Sequence, residues 1–419
     1  MAKIIEASAA WRTLKIRNFR NFMVGNFFSQ FGMWVQRIAV QWLTWQLTHS
    51  PTWLGIIAFA DFFPNIVMAP LAGALADRLD RLAAIRLYMW ISAFISTALA
   101  VLVITDEITK ELLVLLVVLN GTAMAFNYPV RLSMVHSLVR REELTSAIGL
   151  NAVTFNISRI GGPALAGFLI SYWDHVAPAF AFTAVADVCF IVALYMVQLL
   201  SAGETREKRS LRMIPAEIME GYRYARSHPG IGPLLIILVG TTLFARPVND
   251  LYAGFADDVF GRGADGLAWL TGMLGLGAFI GSVFLAGRGG VEGLTRLLVV
   301  SVLIFAITLI GFTATDIFWI ACLFTMVAGL SVVMVGVAEQ TLLQASVDSA
   351  MRGRILSMYT LIARGFPSIG ALIMGYAASI VGLRWPVFVG AVLCLVMWVW
   401  ALRRREQMAA VLEAPPKAG

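Results

Sequence analysis

The stretch TWLGIIAFADFFPNIVMAPLAGALADRLDR (52–81) decides the fold. Residues 53–75 form an apolar run interrupted by a single carboxylate, Asp61, and the run ends on a knot of charge made by Asp77, Arg78, Asp80 and Arg81. A helix that crosses a bilayer needs roughly 20 mostly apolar residues. Arginines just beyond such a run mark the cytoplasmic end of a span. The stretch therefore reads as one membrane crossing followed by a cytoplasmic loop.

The same unit recurs outward in both directions. Twelve runs qualify, at 20–47, 53–75, 84–105, 111–134, 144–172, 177–199, 232–254, 265–286, 295–314, 317–343, 353–382 and 385–402. Several exceed what a bilayer requires, which implies tilt or extension beyond it. The alternation of a transmembrane β-barrel is absent. Composition agrees: 59% of the 419 residues are apolar and 14% charged, at a mean hydropathy of +0.80. A soluble domain is about 45–50% apolar and about 25% charged. The excess apolar surface belongs against lipid. The chain is thus expected to be an all-α integral membrane protein with twelve transmembrane helices in two six-helix halves.

Charge placement tests the count. If the N-terminus is cytoplasmic, 24 of the 32 Lys and Arg residues fall on inside segments, only Lys110, Arg262 and Arg384 lie outside, and five lie within spans. One missed helix would invert this bias downstream, so the positive-inside rule predicts an even count, both termini in the cytoplasm and, in a bacterium, an inner-membrane location. The net charge of +7 reflects topology, because no basic patch interleaved with aromatics lies off the membrane to hold nucleic acid. The first ~18 residues are mixed and basic, and the first apolar run is too long for a cleavable signal peptide. Cys189, Cys322 and Cys394 all sit in apolar runs, with neither disulfide nor metal spacing, and read as packing residues.

Residues 200–231 form the longest polar interruption and divide the chain into an N-terminal half (1–199) and a C-terminal half with a short tail (232–419). Within it, IPAEIMEGYRYARSHPGI (214–231) places Pro215 in a first helical turn and Ile214, Ile218 and Tyr222 on one face, as in an amphipathic helix on the cytoplasmic surface. The halves echo each other: AGALADR (72–78) after the second span has a partner in FLAGR (284–288) after the eighth, and RIGGP (159–163) has one in RGFP (364–367). Such repeats place a binding site at the repeat interface.

GALADRLDR (73–81), with the twelve-span plan, resembles the loop signature of the major facilitator superfamily. The resemblance covers essentially the whole chain. It implies the major facilitator fold and a conformational latch made by Gly73, Asp77, Arg78 and Arg81, in which the Asp77 carboxylate meets the N-terminal end of the eleventh helix. The second-half copy has Gly287 where the first has Asp77, which leaves a symmetric latch there in doubt. TWLGIIAFADFFPNIVMAPLAGALADR (52–78), YPVRLSMVHSLVRREELTSAIGLN (128–151), RIGGPALAG (159–167) and LLQASVDSAMRGRILSMY (342–359) resemble the branch holding the bacterial enterobactin exporter and macrolide-efflux-like proteins. That branch implies export of a small, often hydrophobic molecule. Arg159, Gly161, Gly162, Pro163 and Gly167 resemble the antiporter motif of the fifth helix, with one glycine after the proline. Physically, these glycines permit close helix approach and Pro163 opens the backbone ladder.

Charges within a bilayer are functional candidates by default. They are Arg37, Asp61, Arg131, Arg159, Asp187, Arg246, Asp250, Glu339 and Arg364. Arg37 and Asp61 lie at similar depth on consecutive spans. Arg246 and Asp250, four apart, share a helical face, with Pro247 kinking the helix between them. These four are the proton-coupling candidates, Asp61 first, Asp250 second and Asp187 third. Arg131 and Glu339 lie near cytoplasmic ends, where snorkelling to the interface is an alternative. Arg159 and Arg364 read as residues that hold the core together. The superfamily resemblance puts the first, fourth, seventh and tenth helices around the cavity. Gln36, Gln41, Asn120, Asn127, Asn249, Asp250, Glu339 and Gln340 are then its lining candidates, with Trp34, Trp42, Trp45 and Phe244 as apolar contacts. Of these Trp45 is the weakest, because aromatics near helix ends form interfacial belts.

No Walker A loop, HExxH, GxSxG elbow or CxxC pair occurs, and His49, His136, His175 and His228 are scattered. The reading is a carrier with no cofactor and no metal, not an enzyme. It is expected to act as a monomer in the lipid bilayer, exporting a small amphipathic molecule in exchange for protons. Uptake of a small metabolite is the alternative, and a membrane enzyme a remote one.

Overall fold

The computed structural model describes residues 11–76, 80–140, 142–198, 214–288, 290–348 and 351–414, without the side chains of 65, 69–76, 128, 129, 132, 133, 136 and 214–218. Among the described residues no strand is assigned. The helices are α1 (Arg17–Thr48), α2 (Pro51–Ala76), α3 (Arg81–Ile104), α4 (Lys110–Leu138), α5 (Leu144–Trp173), α6 (Ala177–Tyr195), α7 (Ile214–Ser227), α8 (Ile231–Phe244), α9 (Gly263–Ala286), α10 (Leu294–Ala314), α11 (Phe318–Ser346), α12 (Arg352–Val381) and α13 (Arg384–Leu412). All except α7 match the twelve expected spans. Among the described residues, eleven helices are long and apolar enough to cross a membrane. The remaining span is α1, 32 residues long, whose amides and arginines dilute its hydropathy.

Lipid-facing helices must satisfy their own backbone, and the ends are closed locally. Asp80 caps α3 by accepting hydrogen bonds from Leu82 N (2.8 Å) and Ala83 N (3.3 Å). Thr109 does the same for Leu112 N of α4 at 3.2 Å. The start of α10 is closed from a distance: the Glu413 carboxylate, just past α13, accepts from Gly293 N (2.6 Å) and Thr295 N (2.7 Å). An anion at a helix N-terminus is electrostatically favoured.

The chain divides into two compact units. Unit 1 holds Met1–Thr48 and Phe63–Arg209; unit 2 holds His49–Phe62 and Ser210–Gly419. The division cuts α2 rather than following chain order alone. In unit 1, α1 packs on α5 and α6, and α3 on α4 and α6, around a core that includes Phe19, Phe22, Met89, Met134 and Phe190. In unit 2, α11 packs on α9 and α10, α13 on α10, and α8 on α12 and α13. Its core includes Leu234, Leu298, Leu342 and Ile355. The first half of α2 lies against α12. A Cβ added to Gly55 would stand 2.5 Å from the Ala371 carbonyl oxygen, Gly375 abuts the Pro51 carbonyl, and Thr52 Oγ1 donates to Ser379 Oγ at 2.9 Å. Large apolar side chains such as Phe94, Val185, Ile307 and Ile373 remain exposed, as a lipid-facing surface requires.

The interruption at 200–231 does contain a helix, α7. Tyr222 and Met219 are exposed on it, while Gly221 and Ala225 are buried. It is held to unit 2 by Tyr224 Oη donating to Asp348 Oδ2 (3.0 Å) and by Arg354 Nη1 to Glu220 Oε1 (2.7 Å).

The seventh span departs from a single kinked helix. After α8 the chain runs as a 3-10 segment (Arg246–Leu251), one α turn (Tyr252–Gly254) and a π turn (Phe255–Val259). Pro247 supplies no backbone donor, and the ladder rewinds around it.

Candidate functional site

The polar side chains inside the helices gather into one cluster per unit. In unit 1, Arg131 of α4 donates through Nε and Nη2 to Asn26 Oδ1 of α1 at 3.1 and 2.5 Å. Asn26 Nδ2 in turn donates to Asn151 Oδ1 of α5 at 3.0 Å. The Arg131 guanidinium stands 5.3 Å over the ring of Phe190, on α6. Asp187, also on α6 and 2% exposed, accepts from Ser92 Oγ of α3 at 2.6 Å and lies within electrostatic reach of Arg131. One polar network thus joins α1, α3, α4, α5 and α6. Arg131 is held inside the helices through Nε and Nη2, both of which Asn26 engages.

Close to this network, Gln36 accepts from Ser96 Oγ at 3.3 Å. Gln41 and Trp42 are buried, and Trp34 is half-buried with the Arg37 guanidinium 5.8 Å above its ring. Trp45 is fully buried, so it is core and not part of an interfacial belt. On α4, one turn apart twice over, Asn120 and Asn127 carry amide atoms with no hydrogen-bond partner among the described residues; Asn127 is 2% exposed and has neither its oxygen nor its nitrogen bonded.

The glycines of the fifth-span motif serve contact with α1. A Cβ on Gly161 would stand 2.7 Å from the Phe31 ring, and one on Gly162 would overlap Trp34 Cβ. Gly162, Pro163 and Gly167 are buried, and Arg159 is half-buried.

In unit 2, Arg246 and Asp250 both lie in the 3-10 segment, where side chains three apart eclipse. Four residues apart, they do not share the face a continuous α-helix would give them. The charge of Arg246 is felt by Glu339 of α11 and Tyr359 of α12. Glu339 has no exposed surface, which corrects the interfacial reading of its position. Neither of its carboxyl oxygens has a hydrogen-bond partner among the described residues. Tyr359 Oη donates to the Gly336 carbonyl, one turn before Glu339, at 3.1 Å. Asp250 is buried, Asn249 and Phe244 are half-buried, and Gln340 is exposed. Arg364 is exposed and has an interaction partner.

Asp61 is half-buried in the part of α2 that belongs to unit 2, whereas Arg37 belongs to unit 1. Asp61 and Asp250 both have interaction partners. Of the latch residues, Asp77 and Arg78 lie outside the described residues, Gly73 lies within α2, and Arg81 Nη1 donates to Ser137 Oγ of α4 at 2.8 Å. The scattered histidines do yield one spatial group in unit 2, in which ligand atoms of His49, Asp257 and Asp258 lie within 4.8 Å of one another.

Sequence reasoning missed Asn26, Ser92, Asn151 and Tyr359. The signal existed, since each is a hydrogen-bonding side chain within an apolar run.

Two halves of polar-cored helices wrapped in exposed apolar side chains are the build of a membrane carrier. The model of the transmembrane secretion effector family matches residues 8–415. The chain belongs to this family of the major facilitator superfamily. It is a transporter and not an enzyme. It is similar to the staphyloferrin A transporter of Staphylococcus aureus, 23% identical over 92% of this chain and 96% of that protein. It is also similar to macrolide efflux protein A of Streptococcus pyogenes, 23% identical over 84% of this chain and 86% of that one. Among solved structures, a mutant of the nucleoside transporter NupG superposes with a TM-score of 0.74 at 12% identity, covering 92% of this chain and 100% of that one. That likeness carries the fold and nothing finer.

Proposed function

We propose that this transporter exports a small amphipathic molecule across the bacterial inner membrane by alternating access, in exchange for protons, with both termini in the cytoplasm. The observation that carries the reading is the buried Asn127 on α4, a side chain with both amide atoms unbonded inside a membrane helix. An orphaned buried amide costs free energy, and a substrate that bonds it recovers that cost. Asn120 lies on the same helix face, and Trp34 and Trp42 of the same unit supply apolar surface. Mixed walls with a few polar points suit an amphipathic ligand. The outward direction is supported by the similarity to macrolide efflux protein A.

Gln36, Gln41, Asn120, Asn127, Asn249, Glu339 and Gln340 remain the cavity-lining candidates. Gly73, Asp77, Arg78 and Arg81 remain the latch. Asp61 and Asp250, with Arg37 and Arg246, are the coupling candidates read from sequence, and the burial of Glu339 supports adding it to them. The test is a deletion and overexpression screen against a panel that includes a macrolide and a ferric-ion chelator of the siderophore type. Export predicts lower intracellular accumulation of at least one compound on overexpression. Higher accumulation would make the carrier an importer for that compound. Collapse of the pH gradient is expected to abolish the effect.

A further inference from the structure

Proton exchange, on the reading above, needs one acid that is charged in part of the cycle and neutral in the rest. Asp187 is bonded to Ser92, and Asp61 and Asp250 each have partners. Glu339 differs from all three. It is fully buried, both oxygens lack a donor, and no ion pair within 4.0 Å reaches it among the described residues. An ionised carboxylate only accepts hydrogen bonds, and burying one with none costs several kcal/mol on the order of a desolvated ion. A protonated carboxyl carries no charge into the interior.

The surroundings contain the counter-charge. Side chains on a helix lean toward its N-terminus, so Glu339 leans over the turn that contains Gly336. A Cβ added to Gly336 would stand 3.4 Å from Arg246 Nη2, and Tyr359 Oη bonds the Gly336 carbonyl. Arg246 and Tyr359 are the groups that interact electrostatically with Glu339 among the described residues. Elsewhere on the packed elements the acidic and basic residues are Asp250 in the 3-10 segment, Arg352, Arg354 and Arg364 in α12, Asp265 in α9, Arg296 in α10, and Arg384, Arg403, Arg404, Arg405 and Glu406 in α13. Arg246 opens the 3-10 segment at the break of the seventh span, and mid-helix 3-10 stretches mark hinges.

We propose that Glu339 carries the coupling proton and that Arg246, riding on the hinge after α8, is the cation that displaces it. When the hinge brings the guanidinium into contact, the carboxyl O–H bond breaks, the proton leaves to water, and the carboxylate pairs with Arg246, which stays protonated throughout. When the hinge withdraws, a proton from the other side rebinds the carboxylate. Tyr359 is a positioning residue that fixes the turn beneath Glu339.

The test does not need the substrate. The full-length protein in lipid nanodiscs is titrated while the protonated-carboxyl stretch is followed by infrared difference spectroscopy. The wild type should show a titrating carboxyl band that is lost in Glu339→Gln and kept in Asp61→Asn. Arg246→Gln should move its midpoint, and Glu339→Asp, offered against a folding defect in the amide variant, should retain a shifted band. A band unchanged in Glu339→Gln, or unmoved by Arg246→Gln, overturns the assignment. Flux of a compound found in the export screen separates the two readings. Flux that follows the pH gradient equally in wild type and Glu339→Gln defeats the Glu339 assignment alone. Wild-type flux indifferent to the gradient defeats proton coupling, and this inference with it.

Discussion

Asp187 in unit 1 and Glu339 in unit 2 are both acids buried inside a helical bundle, yet one is bonded and the other is not. Asp187 takes a 2.6 Å hydrogen bond from Ser92, and its nearest cation, Arg131, is itself anchored to Asn26. Among the described residues neither oxygen of Glu339 has a hydrogen-bond partner. The difference teaches what to expect of each. A satisfied polar network fixes the positions of the helices that share it. An unsatisfied acid beside a helix break stores a demand that a change of state can meet.

If unit 1 is the fixed scaffold, breaking its network should cost the most. Arg131→Ala leaves Asp187 and Asn26 without their cation and should destabilise the protein by about 3 kcal/mol, read as a fall in thermal midpoint in detergent. Gly162→Leu should follow at about 2 kcal/mol, because the new side chain meets Trp34 across α1 and α5. Glu413→Gln, which weakens the carboxylate cap on α10, should cost about 1 kcal/mol. Glu339→Gln should change stability by less than about 1 kcal/mol in either direction, since a neutral amide replaces a neutral carboxyl of the same shape that has no hydrogen-bond partner among the described residues. A cost for Glu339→Gln as large as that for Arg131→Ala would erase the distinction between the two acids.

The smallest effect lies outside the membrane. His228 Nδ1 accepts from the backbone N–H groups of Gly230 and Ile231, both at 3.2 Å, at the start of α8. Partial burial holds its imidazole below the usual histidine value of 6.5, against the opposing pull of Asp348. The unfolded state therefore binds the proton more readily, and stability present above pH 6.5 is lost as pH falls through that value. Hydrogen exchange at residues 230–232 should quicken at mildly acid pH. His228→Asn, which keeps an acceptor and removes the titration, should flatten that response.

Much of this architecture was legible in the residues. Long apolar runs and the placement of arginines marked every span, because hydrocarbon thickness and loop charge act on composition alone. Even α1, diluted by its amides, was placed by its length and its flanking arginines. The break near Pro247 was legible too. What followed it was not, since winding into 3-10 and π turns depends on packing that no periodicity encodes. A 3-10 segment sets residues four apart on different faces, so the common face that an α-helix would give Arg246 and Asp250 was not there to find. Depth along a helix was likewise a poor guide to burial. Glu339, Arg131 and Trp45 all sit where an interface was expected, and neighbouring helices enclose them. The amides of Asn26 and Asn151 stood outside the positions that the cavity reading picked out, and only packing joins them to Arg131, although a buried amide must find a partner.

The central claim is that the acid of unit 2 changes its proton during the cycle and the acid of unit 1 does not. The direct measurement is an infrared titration of Glu339→Gln and Asp187→Asn side by side in the same lipid. The account predicts that the titrating carboxyl band disappears in Glu339→Gln and persists in Asp187→Asn. Loss of the band in Asp187→Asn with retention in Glu339→Gln would contradict it.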